Sequence, residues 1–279
     1  MADRTREQTM SILEYEFMQH AIAAGILASI ICGIMGSLIV VNRIVFLSGG
    51  IAHAAYGGIG IAYYFKWPVM LSTLGFSFIA SMLMAAVTFK VKHRADTIIG
   101  VIWALGMAIG IILIDLTPGY NVDLMSYLFG SILTVSKSSL FVMLGITILL
   151  FLFVVFYYNE LLAASYDEEF AQVRGVRVKQ LYFILIGMLG LTIVMIIQVV
   201  GLIMVIALLT IPPFIMENKV KSLFQMMIGA SVLGAFFTLT GLWMSYRFNL
   251  TSGASIILVA GTVFLLNLLV NRAQKKLQV

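Results

Sequence analysis

The chain is predicted to fold as an all-α, polytopic transmembrane helical bundle of eight to nine spans. Two observations carry that expectation. From about residue 17 to residue 271 the sequence is a series of long apolar runs almost free of charge, and a bilayer core takes roughly 20 apolar residues per helical crossing. Hydrophobic residues make up 62% of the 279 and charged ones 10%, with a mean hydropathy of +1.08; a soluble domain carries about 25% charged residues.

Set against turn and charge signals, the apolar runs give nine candidate spans: 17–41, 44–65, 68–89, 96–115, 138–158, 181–198, 200–216, 222–245 and 252–271. The sixth and seventh are one apolar stretch from Leu181 to Met216, too long for a single crossing, and Gly201 is the expected turn. The second span is the least hydrophobic and the seventh is short, so eight crossings is the alternative. No soluble stretch exceeds about 20 residues, and the whole of 1–279 reads as one transmembrane domain. The first 16 residues lack an apolar region followed by a small-residue cleavage site, so no signal peptide is expected.

The net charge of +5 is no nucleic-acid footprint, because its Lys and Arg sit in short loops between apolar runs. With the N-terminus outside, 12 of the 17 Lys and Arg fall on one face: Arg43, Lys90, Lys92, Arg94, Arg174, Arg177, Lys179, Lys219, Lys221, Arg272, Lys275 and Lys276. The other face receives Arg4, Arg6, Lys66, Lys137 and Arg247. The positive-inside rule places the first group in the cytoplasm, with the C-terminus inside. The segment 119–136 is then external, and its apolar part 124–133 is suited to a short re-entrant helix. Cys32 lies within an apolar run and allows no disulfide framework.

The second span is the most unusual. Residues 48–62 hold five glycines and four alanines; the glycines weaken a helix relative to alanine, but small residues let neighbouring backbones approach closely in a bilayer. His53 is ten residues beyond Arg43, which puts it ~15 Å deep, near the midplane. An ionisable group there faces the protein interior or a polar path; its two readings are a path ligand and a neutral histidine hydrogen-bonded to a neighbouring helix. Asp96 opens the fourth span, either as a helix-capping carboxylate or as a group at the inner mouth of a path. Asp115 and Asp123 flank the outer loop as solvated charges or cation attractors.

The loop 159–180 contains a complete short helix. Asp167 can cap it, Glu168 and Glu169 suit its positive end, Arg174 its negative end, and Gly175 stops it. Phe170 and Val173 share one face at i, i+3 spacing. A helix isolated between two spans cannot bury that face in its own core, so it lies on the membrane or docks into a partner. No phosphate-binding GxxxxGK[ST] loop, HExxH or nucleophile elbow occurs. Most of the 17 methionines sit in apolar spans, where packing accounts for them.

Six segments in order resemble a known family: the second span, Asp96-Thr-Ile-Ile-Gly100, Tyr127–Leu133, Tyr166–Gly175, Val200–Pro212 and Leu250–Ser255. Together they are similar to the permease of zinc, manganese and iron ABC importers, the ABC-3 family. The resemblance covers nearly the whole chain. It implies the vitamin B12 importer permease fold with its first helix missing, and a homodimer or a pair of related permeases in the lipid bilayer. It also implies a cytoplasmic ABC ATPase docked on Tyr166, Asp167, Glu168, Glu169, Phe170, Val173, Arg174 and Gly175, and an extracytoplasmic metal-binding protein. A divalent metal ion is then the cargo, with no permanently bound cofactor and no enzyme activity in this chain. The metal path is expected at His53 and Asp96. Family members usually carry Asp four residues before the span-2 histidine; here that position is Gly49. The rival readings are a permease of this architecture for a siderophore- or cobalamin-like chelate, an ion-coupled secondary transporter, and a membrane scaffold.

Overall fold

In a computed structural model of the chain, residues 15–91, 94–118, 130 and 132–277 are described, with side chains up to 271. They form helices α1 (Glu16–Val41), α2 (Val45–Ala54), α3 (Tyr56–Phe65), α4 (Val69–Lys90), α5 (Ala95–Asp115), α6 (Lys137–Tyr166), α7 (Glu168–Val173), α8 (Val178–Val200), α9 (Leu202–Glu217), α10 (Leu223–Phe248) and α11 (Ser252–Leu277). Helices α2 and α3 continue one another across Ala55 as a single 21-residue crossing, Val45–Phe65. Among the described residues, eight helices are long and apolar enough to span a membrane, and α9 is a shorter ninth pass of 16 residues.

Gly201 takes φ 82° and ψ 160°, a conformation that only glycine adopts readily, and it separates α8 from α9 as expected. At 16 residues, α9 rises ~24 Å, short of the ~30 Å hydrocarbon core. The chain entering α6 packs onto this junction. Gly130 (φ 63°) lies so close to Val200 and Gly201 that a Cβ would collide with their backbone, and the 3-10 turn Ile132–Thr134 follows with Ile132 buried. Irregular backbone survives at membrane depth where protein surrounds it. Most of the expected re-entrant helix, 124–129 and 131, lies outside the described residues, as does Asp123.

The bundle has two parts joined by α8. Helix α1 packs on α10, α9 and α6, while α2–α3 packs on α5 and α4. The close contacts fall on small residues. A Cβ at Gly33 would strike the Ser231 backbone of α10, and one at Gly36 the Leu209 carbonyl of α9. That carbonyl lost its helical donor to Pro213. On α5, Leu105, Ile109 and Ile112 are exposed along one side, while Gly106 and Gly110 are buried on the other. Gly106 meets Ala54, and Gly110 meets Tyr56 and Gly60 at the backbone. The glycines of the second span are therefore a packing seam with α5. The least hydrophobic of the long spans is also among the most buried, because its neighbours are helices rather than lipid.

The helix ends sort by charge. Arg43, Lys90, Arg94, Arg174, Arg177, Lys179, Lys219 and Lys221 all lie at the end of the bundle that carries α7, while Lys66, Lys137 and Arg247 lie at the opposite end. There Lys137 pairs with Glu16, tying α6 to α1.

Candidate substrate path and coupling surface

Helix α1 stops in a helix-ending turn. Arg43 N–H bonds to Val40 O and Ile44 N–H to Ile39 O, both at 3.0 Å, with Arg43 left-handed at φ 57°. Glycine usually holds that position; here an arginine does. The chain then enters α2, where eight residues after Val45 bring His53 ~12 Å along the helix. Nδ1 of His53 lies 2.8 Å from the Gly49 carbonyl. A carbonyl only accepts, so in the neutral ring Nδ1 carries the proton and Nε2 keeps its lone pair. That is the form in which imidazole ligates a metal. The ring stacks on Trp103 of α5, with centroids 4.0 Å apart. Trp103 donates its N–H to the Met107 sulfur at 3.0 Å, and Phe46 packs against the indole. The ring orientation is thus set by two helices. Beside it, a Cβ added to Gly49 would meet nothing within 4 Å, so a side chain at this position would enter open space.

Asp96 is elsewhere. Helix α5 is preceded by Arg94 as its N-cap residue, and Asp96 is exposed in the first turn. The capping reading is thereby corrected: with the helix starting at Ala95, Asp96 is inside it and its carboxylate meets the positive dipole end without capping. Seven residues separate it from Trp103, ~10 Å along the helix. It lines a 360 Å3 cavity with Asn42, Arg43, Thr88, Glu168 and Tyr182. His53 and Asp96 therefore do not form one site. Among the described residues no three His, Cys, Asp or Glu side chains gather. Asp115 ends α5 at the opposite end of the bundle and is exposed.

Helix α6 runs on to Tyr166, beyond the expected end at 158, with non-helical φ/ψ at Tyr157. Asp167 caps α7 as expected: its Oδ1 accepts from Phe170 N–H at 2.9 Å. Gly175 stops it with φ 83°, and Val176 N–H returns to Ala171 O at 3.0 Å. Ala171 is buried beneath, while Tyr166, Phe170 and Val173 are 73%, 51% and 88% exposed. The Arg174 guanidinium lies over the Phe170 ring, 5.1 Å from its centroid. Glu168 faces the cavity that Asp96 also lines, and Glu169 is exposed. An apolar face held by caps at both ends is thus left exposed at this end of the bundle.

Sequence reasoning missed Trp103 and the Gly106–Gly110 seam. Both had signals: a tryptophan deep in a span instead of at its edge, and the spacing Gly106-Met-Ala-Ile-Gly110.

A model of the ABC 3 transport family matches residues 14–271. The chain belongs to the ABC 3 transport family. An uncharacterized membrane protein of Synechocystis is 51% identical over 95% of both chains. The manganese transport system membrane protein MntC of Halalkalibacterium halodurans is 32% identical, covering 91% of this chain and 87% of that one. Among solved structures, PsaBC from Streptococcus pneumoniae in complex with Fab is similar with a TM-score of 0.83, at 28% identity over 94% of this chain and 95% of that chain. An inward-facing putative metal-chelate type ABC transporter has a TM-score of 0.71 at 16% identity, covering 94% and 88%, and so shares the fold. The ABC 3 chain is a multi-pass membrane permease with the helical fold of ABC permeases.

Proposed function

We propose that this ABC 3 permease forms the membrane path of an ABC importer that carries a divalent transition metal, zinc, manganese or iron, into the cell. A separate cytoplasmic ATPase docks on α7 and supplies the energy, an extracytoplasmic metal-binding protein delivers the ion, and two permease copies flank the path. The chain itself is a transport subunit without enzyme chemistry. The observation that carries this reading is His53: a half-buried imidazole partway along α2, fixed by Gly49 and Trp103, with no hydrogen-bond partner for Nε2 among the described residues. The names of the manganese-transport relatives point the same way. The sidedness follows from the gathering of basic residues at the α7 end.

The test is uptake by the permease–ATPase complex in proteoliposomes across several metals, with His53→Ala and His53→Gln. Both variants are expected to assemble. Uptake is lost in both, because an amide oxygen is a far weaker donor to zinc-like ions than imidazole. Near-wild-type uptake with glutamine would reduce His53 to a hydrogen-bonding residue, since such a bond in a membrane is worth only ~0.6 kcal/mol on average. The open space at Gly49 favours a second reading, passage of a bulkier metal chelate. Uptake of a labelled chelate in preference to the free ion distinguishes it.

A further inference from the structure

One side-chain hydrogen bond ties the α7 segment to the joint between α1 and α2. Asn42 ends α1, and its amide nitrogen donates to Leu38 O at 2.7 Å and to Ser165 Oγ at 2.9 Å. A primary amide has two N–H donors, so both are engaged. Ser165 stands two residues before Asp167, the cap of α7. The residue after Asn42 is the left-handed Arg43, and α2 with His53 starts two residues later. A short covalent and hydrogen-bonded route therefore runs from the docking helix through Ser165 and Asn42 to the root of the path helix.

The surroundings leave this joint room to move. On one side lies a 550 Å3 cavity lined by Asn42, Arg43, Ser165, Tyr166 and Glu168. On the other lies the 360 Å3 cavity that Asn42, Arg43 and Glu168 share with Asp96. A non-glycine residue in the left-handed region is strained, and hinges are a few loop or element-terminal residues that absorb changes in φ and ψ.

We infer that Asn42 is a positioning residue for transport. Its bond to Ser165 passes a displacement of α7 to the start of α2, and so links the partner's ATP cycle to the placement of His53. The inference rests on the reading of α7 as the ATPase-docking helix.

The experiment measures ATP hydrolysis and metal uptake in the same proteoliposomes holding the permease–ATPase complex. The variants are Ser165→Ala, Asn42→Ala, the double variant and Ser165→Thr. Ser165→Ala leaves the Asn42–Leu38 bond at the end of α1 in place, so it separates the link from helix capping. Each alanine variant is expected to lower metal carried per ATP about fivefold, the equivalent of one ordinary hydrogen bond. Hydrolysis rate and ATPase co-purification stay at wild-type level. The double variant is no worse than either single one, and Ser165→Thr behaves as wild type. A wild-type ratio in Ser165→Ala overturns the inference, as does a loss in the double variant equal to the two single losses combined. Failure of the docking reading shows separately, as full ATPase co-purification after Phe170→Ala with Val173→Ala, and it removes the basis of this inference too.

Discussion

The His53 imidazole lies flat on the Trp103 indole, with centroids 4.0 Å apart and planes 30° from parallel. The two residues come from different helices, and the contact sits just before the point where Gly106 lets α5 touch Ala54. An aromatic pair of this kind is worth roughly 0.5–1.5 kcal/mol beyond its buried area. The Gly49 carbonyl holds Nδ1 from within α2, and Trp103 holds the ring face from α5.

Trp103→Leu is therefore expected to lower the initial rate of metal uptake severalfold while the complex still assembles. Trp103→Phe keeps a ring face and retains most of the rate. Initial-rate uptake beside thermal unfolding of the purified permease checks both. If leucine transports as well as phenylalanine, the stack plays no part in the path.

The crossing pattern was legible in the sequence because a bilayer enforces it: each apolar run long enough to cross became a helix, and Gly201 broke the longest one. The capped helix at 168–173 was legible for the same kind of reason, since Asp167 and Gly175 are local signals. What the sequence hid was relational. Nothing local says that the Gly-rich span faces the glycines of α5, or that Trp103 is the neighbour of His53. Asp96 reads as a cap in the sequence, but the helix begins at Ala95, which makes it a first-turn residue. The extent of α6 past 158 was hidden by Asn159 and Glu160, which read as a loop but continue the helix beyond the deviation at Tyr157.

The packing seam gives a contrast between two glycines of one span. A Cβ at Gly60 would come within 2.5 Å of the Gly110 carbonyl oxygen, whereas one at Gly49 meets nothing within 4 Å. Gly60→Ala is expected to destabilise the permease by about 1–3 kcal/mol, the usual cost of overpacking. Gly49→Ala should be neutral or slightly stabilising, since alanine is the better helix former. Thermal unfolding in detergent decides it; equal midpoints for the two variants would show that the seam is not close-packed.

Sidedness follows from the sorting of the basic residues between the two ends of the bundle. In a Cys32→Ala background, Val173→Cys and Trp67→Cys provide probes at opposite ends, both well exposed at 88% and 59%. A membrane-impermeant maleimide added to intact cells is expected to label position 67 and to reach position 173 only after the membrane is opened. The reverse pattern would place α7 outside and remove it from reach of any cytoplasmic ATPase.

The last prediction concerns the docking face itself. Phe170 is half exposed and Val173 almost fully so, yet both stand on a helix fixed at each end, by Asp167 and by the left-handed Gly175. Such a helix has lost its conformational entropy before binding, and preorganisation of this kind lowers the cost of association. Phe170→Ala with Val173→Ala should therefore reduce ATPase co-purification about tenfold or more, as expected when a central apolar anchor worth over 1 kcal/mol is lost, while membrane insertion is unchanged. Gly175→Ala attacks the same surface from its support. Its φ of 83° strains any other residue, so the helix end loosens with both docking side chains intact. A smaller loss of binding, with Phe170 and Val173 still present, is the expected result. Wild-type binding in the Gly175 variant would mean that the face docks by its side chains alone, without help from the fixed helix.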